Sequence, residues 1–255
     1  MIRFAEIKDK NKIIKLWHNV FGDDEKSIEY FFGLYYGDMI IYEEKEEIAA
    51  MLTMLPVTLE NKKGRYIYAV ATDERYRCRG LSTMLLNYAN KYIKENGEYF
   101  SVLVPAEENL FAFYEKRGYT TVECIEKCRY DALSPIETEI EEIAAEEYKK
   151  QRKEILRDYF PIEWGAEELE NICRMYNGQF CLLKEYGAVI FCYKYRDILI
   201  IKEACCDKKY ADNIAAAAAY WFGCRKVQIT LKGKQPFAMV YPAEYRDIYF
   251  NIAID

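Results

Sequence analysis

TDERYRCRGLSTMLLNYA, Thr72 to Ala89, sets the end of a β-rich run against an amphipathic helix. Between them lies a turn holding Arg75, Arg77, Arg79 and Gly80. Upstream, Arg65–Thr72 is rich in β-formers. Downstream, Leu81, Met84, Leu85, Tyr88, Ala89, Tyr92 and Ile93 recur at helical spacing and predict a helix over Leu81–Glu95. Strand, tight turn and helix N-terminus leave several backbone N–H groups unpaired and facing one way, and the helix dipole adds to them. Gly80 has no side chain to block a close approach, and the arginines supply positive charge. The stretch therefore reads as an anion cradle. Its bland alternative is a solvated basic turn.

The elements around it follow from periodicity. Ile2–Ile7 predicts a strand, Lys10–Phe21 and Asp24–Tyr36 predict helices, and Met39–Tyr42 and Glu47–Leu59 predict strands. Beyond the central helix come a strand at Tyr99–Val104, a short helix at Asn109–Lys116 closed by Gly118, and a strand at Tyr119–Tyr130. Ala132–Pro135 reads as a linker. A second cycle follows: a strand at Glu137–Ile143, helices at Ala144–Tyr159 and Ala166–Asn177, and strands at Gln179–Leu183, Ala188–Tyr193 and Asp197–Ala204. A helix at Tyr210–Phe222, a strand at Lys226–Leu231 and a β-rich tail complete it. The shared order predicts two tandem α/β domains, residues 1–131 and 137–255.

Composition narrows the function. The 255 residues carry a net charge of −6, which disfavours nucleic-acid binding and suits a cationic substrate. No secretory leader or membrane-length apolar run is visible, so a cytoplasmic protein without membrane association is expected. Nine cysteines lie scattered in apolar stretches without metal-ligand spacing, and they read as structural thiols with no metal. His18, the single histidine, sits on a helix-like stretch and reads as an exposed or half-buried helix residue, which leaves a Ser–His or Cys–His catalytic pair nearly excluded.

Arg77-Cys78-Arg79-Gly80-Leu81-Ser82 resembles the Arg/Gln-x-x-Gly-x-Gly/Ala signature of the GCN5-related N-acetyltransferases. FAFYEKRGY, Phe111 to Tyr119, is similar to that family's second common element, a helix bearing a Tyr followed by Gly-Phe/Tyr and a strand. The longer run LVPAEENLFAFYEKRGY, Leu103 to Tyr119, looks like the tandem, enhanced-intracellular-survival type. The resemblance implies a mixed, mostly antiparallel sheet flanked by helices, in two copies. It implies acetyl-CoA as cosubstrate and a small-molecule or peptide amine as acceptor. It places the pantetheine arm along Val70, Ala71 and Thr72, with the pyrophosphate at Arg77, Cys78, Arg79, Gly80, Leu81, Ser82 and Thr83. Tyr114 stands where many members keep a general acid.

Departures are also visible. Ser82 stands in place of the last small residue of the signature. The family's pantetheine-binding Asn falls at Glu107 here, with Asn109 slightly displaced. No carboxylate lies in Phe100–Val104, where some relatives keep a base, so Glu43, Glu44 and the terminal carboxylate of Asp255 are the candidates. The second half has Ala204-Cys205-Cys206-Asp207-Lys208-Lys209 at the equivalent turn, without glycine, and is expected to hold no CoA. Its expected role is to pack against the first half and wall the acceptor cleft. A non-catalytic acyl-CoA-binding protein is the alternative function.

Overall fold

The computed structural model describes residues 1–131, 134–245 and 248–254. Part of the expected linker (Ala132 and Leu133) and Asp255 fall outside the described residues.

The first half contains β1 (Ile2–Phe4), α1 (Lys10–Phe21), α2 (Glu25–Tyr35), β2 (Met39–Glu44), β3 (Glu47–Leu59), β4 (Lys62–Thr72), α3 (Leu81–Glu95), β5 (Phe100–Leu103) and α4 (Asn109–Glu115). The second contains β6 (Thr120–Asp131), β7 (Glu141–Ile143), α5 (Ala145–Ile155), β8 (Ile162–Glu163), α6 (Ala166–Tyr176), β9 (Gln179–Leu183), β10 (Ala188–Tyr195), β11 (Ile198–Cys205), α7 (Ala211–Phe222), β12 (Lys226–Lys232) and β13 (Gln235–Tyr241). The first strand is shorter than its sequence suggests, because the chain turns into a 3-10 segment at Ile7–Asp9.

Two compact units result, and they do not divide where the sequence suggests. One is Met1–Thr120 with Met239–Tyr245; the other is Thr121–Ala238 with Arg246–Asp255. The reason is an exchange of strands. β6 pairs antiparallel with β12 from Ile125↔Lys232 to Asp131↔Lys226, which places it in the second unit. The end of β13 returns to the first unit and pairs with β5, Met239↔Leu103 to Tyr241↔Ser101. The segment Lys234–Pro242 is thus mostly a strand, and no counterpart of α4 stands between β12 and β13.

In the first unit the strand order is β1-β2-β3-β4-β5 followed by the end of β13. Neighbours are antiparallel except β4 and β5, which run parallel. Successive strand residues point to opposite faces. Ile67 packs with Leu81, Leu85, Leu86 and Tyr114, so α3 and α4 cover one face. The Tyr68 ring meets Trp17 and Phe31 at centroid distances of 5.7 and 5.4 Å, so α1 and α2 cover the other. In the second unit the order is β6-β12-β11-β10-β9-β7, again antiparallel except for β11 and β12. The small Ala215, Ala217, Ala218 and Ala219 let α7 lie close on Ile190, Cys192 and Ile201. On the other face Tyr148 of α5 stacks on Phe180 at 4.4 Å.

Candidate functional site

The site is built from a strand that outlasts its neighbour. β4 and β5 pair over only four positions, Gly64↔Phe100 to Ile67↔Leu103. β5 then stops, while β4 continues to Thr72 against β3 alone. A bulge makes the parting local: Met51↔Ala71 and Thr53↔Tyr68 set three steps on β4 against two on β3, and Ala69 takes φ +50°. The backbone of Ala69, Val70, Ala71 and Thr72 therefore has no β5 partner. Its side chains are small, so an extended ligand can lie against the freed amides.

At the end of β4 the chain makes a 3-10 turn, Glu74–Tyr76, which Asp73 caps by accepting from the Arg75 N–H at 2.9 Å. Four residues follow before α3. Cys78 (φ +61°) and Gly80 (φ +76°) both enter the left-handed region, the kind of backbone conformation from which anion-binding concavities are made. Gly80 is the residue before α3, with no side-chain cap on the helix. A Cβ added to Gly80 would meet nothing within 4 Å, so that side of the turn is open space. The first-turn amides of α3 therefore face outward from an uncapped, fifteen-residue helix.

Charge is sorted around this turn. Arg75 pairs with Asp73 at 2.9 Å, and Arg79 pairs with Glu44 at 2.7 Å. Arg77 pairs with no carboxylate among the described residues; its Nε reaches only the Thr72 carbonyl, at 3.4 Å. It lines a cleft of about 780 Å3 shared with Lys12, Lys15, Leu16 and Glu47. Thr72 Oγ1 and Ser82 Oγ lie 2.8 Å apart and tie the strand end to the helix. Leu81 is buried, so its backbone alone faces the turn.

The structure therefore brings Val70, Ala71, Thr72, Arg77, Cys78, Gly80, Leu81, Ser82 and Thr83 to one end of the sheet. Arg79 is there but already neutralised. Asn109 is exposed at the start of α4 and makes no side-chain hydrogen bond among the described residues. Tyr114 is buried, edge-on to Phe113 and Tyr119 at 5.1 and 5.8 Å, in the same cluster as Leu81 and Leu103. Burial pushes its phenol well above the ordinary tyrosine range, so it stays protonated at any working pH.

The base candidates fare poorly. A side-chain bond from Arg3 holds the Glu43 carboxyl below its usual range, and Glu44 is tied to Arg79. Among the described residues no group of histidine, cysteine and carboxylate side chains could hold a metal, and no helix is long and apolar enough to cross a membrane.

One residue at the site carries no mark in the sequence. Arg117, just past α4, donates from Nε and Nη2 to Thr83 Oγ1 at 2.9 and 2.5 Å. Arg117 and Thr83 are 34 positions apart, and no local pattern joins them.

The family model described as an acetyltransferase (GNAT) domain matches residues 1–122. A search of curated protein sequences finds no match. Among solved structures, a GCN5-related N-acetyltransferase from Kribbella flavida is similar at TM-score 0.71 and 13% identity, over 94% of this chain and 71% of that one. A GCN5-related N-acetyltransferase from Anabaena variabilis gives 0.70 and 15%, over 94% and 72%. Eis1 from Mycobacterium abscessus gives 0.58 and 10%, over 92% and 66%. With the splayed strands and the open Arg77–Gly80 turn, these matches identify residues 1–122 as a GNAT acetyltransferase domain in a chain with the fold of the GCN5-related N-acetyltransferases.

Proposed function

We propose that the protein transfers an acetyl group from acetyl-CoA to a primary amine on a small molecule or peptide, with one CoA site per chain, in the first unit. The observation that carries this reading is the open turn at Gly80, set directly beside strand backbone that β5 has left unpaired. The first suits a diphosphate and the second suits an extended pantetheine arm. CoA supplies the activated thioester. The protein holds both reactants in one place, which removes much of the entropic barrier. An unpaired β4 amide polarises the thioester carbonyl. Tyr114, kept protonated by its burial, gives a proton to the leaving sulfur, and its phenolate is restored by the proton that the nitrogen sheds as the amide forms. No carboxylate is assigned as base; the amine reacts after losing its proton to water.

The test is acetyl-CoA turnover over a panel of polyamines, aminoglycosides, amino compounds and peptides, read as free thiol release. Release that depends on an amine supports the transferase. CoA binding without release for any acceptor would favour a non-catalytic acyl-CoA-binding role.

A further inference from the structure

Arg117 is held in a way that folding alone does not explain. Its guanidinium lies 3.3 Å from the centroid of the Phe113 ring. Nη1 donates to the Phe113 carbonyl, and Nε and Nη2 both donate to Thr83 Oγ1. The cation is thereby fixed over the first turn of α3, which is the positive end of that helix. No carboxylate among the described residues pairs with it. Desolvation moves it toward the neutral form, the opposite of what a carboxylate partner does. A guanidinium parked against a positive helix end is unfavourable until an anion comes between them.

Arg77 stands on the other side of the same turn. It bonds to the Thr72 carbonyl, Thr72 bonds to Ser82, and Thr83 bonds to Arg117. The two arginines of this region that pair with no carboxylate among the described residues are thus both tied to the start of α3, Arg77 through Thr72 and Ser82 and Arg117 through Thr83, while Arg75 and Arg79 have carboxylates of their own. The second unit makes the same point. Among its described residues it lacks the open turn before its helix and any counterpart of α4 and of Arg117.

We infer that Arg117 binds the diphosphate of the acyl donor, closing the cradle from the α4 side with a second guanidinium opposite Arg77. The inference rests on the acetyl-CoA reading above. Thr83 and Phe113 act on Arg117 as positioning groups: the hydroxyl fixes the plane of the fork, and the ring supports its face.

The experiment titrates wild type, Arg117→Met and Arg117→Lys with CoA and with dephospho-CoA, and compares kcat/KM for acetyl-CoA with that for S-acetylpantetheine, which has no phosphate. Arg117→Met is expected to weaken both CoA and dephospho-CoA by about 10- to 100-fold, the worth of a charge-assisted bond. The ratio of kcat/KM between acetyl-CoA and S-acetylpantetheine should fall by the same factor. Arg117→Lys keeps the charge and loses the fork, so its loss should be smaller, roughly 3- to 10-fold; it carries the same comparison should Arg117→Met not fold. Equal losses with both thioesters would mean that Arg117 only ties α4 to α3, and would overturn the inference. So would a loss that disappears with dephospho-CoA, which would move the contact to the 3′-phosphate. A wild type that binds no CoA overturns the functional reading as well, whereas undiminished binding by Arg117→Met overturns this inference alone.

Discussion

The two units are built on one plan and differ at one place. In each, the fourth and fifth strands run parallel for four pairs and then part, after Ile67↔Leu103 in the first unit and after Ile201↔Ile229 in the second. In each, a bulge on the fourth strand follows at once. In each, an aspartate then caps a 3-10 turn ending in tyrosine: Asp73 before Glu74–Tyr76, and Asp207 before Lys208–Tyr210. There the plans diverge. The second unit passes directly into α7 at Ala211, while the first inserts Arg77, Cys78, Arg79 and Gly80 before α3. The cradle is that insertion.

What fills the parting differs too. Two residues past the last pair stands Ala69 in the first unit and Glu203 in the second. Glu203 is fully buried, and it takes Arg152 Nε and Nη2 at 2.9 and 3.1 Å together with the Tyr148 hydroxyl. In the second unit a buried ion pair thus stands where the first has the small Ala69, while the ends of β11 and β12 beyond it line a cleft of about 630 Å3 with Cys206, Asp207 and Lys208.

The largest effect should come from the insertion. Gly80→Val places a branched side chain at φ +76° on the open side of the turn. CoA binding should fall below detection by isothermal titration while the melting curve stays cooperative. Undiminished affinity in a folded variant would show that the turn is only a basic loop. A wild-type stoichiometry of two CoA per chain would show that the second unit holds CoA without the four-residue insertion.

Next is the buried ion pair. Arg152→Met leaves Glu203 buried without its cation, a change that typically costs about 3–5 kcal/mol. Chemical denaturation should show a loss of that order. The double variant Arg152→Met with Glu203→Met should recover most of it, since a buried pair replaced by apolar groups is often neutral. A double variant as unstable as the single one would mean that the pair specifies the packing of α5 rather than merely compensating charge.

Tyr114→Phe tests the chemistry. It removes one hydroxyl that makes no hydrogen bond among the described residues, so stability should change little. A general acid predicts a fall in kcat of roughly 10²-fold with CoA affinity nearly intact. Because burial keeps the phenol protonated, its ionisation should put no descending limb on the pH profile below about pH 10. Wild-type turnover in Tyr114→Phe would return the residue to packing.

What the sequence reveals here follows the range of each interaction. The Arg77–Gly80 turn, the helix behind it and the repeated order of elements rest on spacing of a few residues, and local periodicity exposes them. The exchange of β6 and the end of β13 does not show, because strand pairing between distant segments leaves no local mark. The same holds for Arg117 on Thr83 and for Arg152 on Glu203, 34 and 51 positions apart. The insertion was readable in principle: Asp-Glu-Arg-Tyr at Asp73–Tyr76 and Asp-Lys-Lys-Tyr at Asp207–Tyr210 align, and the four extra residues stand out only once they are superposed.

The last effect, confined to a pH window, concerns a charge the second unit does not compensate. Glu123 on β6 is 2% exposed. Its Oε1 accepts from the Cys124 N–H at 3.1 Å, while Oε2 has no partner among the described residues. Burial pushes its carboxyl up to about 7, against the pull of Lys232. The folded state thus holds this proton more tightly than the unfolded chain, whose glutamate titrates near the ordinary value of about 4.3. Between roughly pH 4.3 and 7 the folded form is protonated and the unfolded form is not, so stability falls as pH rises through that window and levels off above it. Glu123→Gln is neutral throughout and offers an N–H₂ where Oε2 now lacks a donor. It should be more stable than wild type at pH 8 by up to about 3 kcal/mol. The gap should shrink steadily as pH is lowered and vanish near pH 4.5, as paired denaturation curves at pH 5, 6, 7 and 8 would reveal. A gap independent of pH would mean that Glu123 stays ionised in the folded protein and that the second unit compensates this charge as fully as it compensates Glu203.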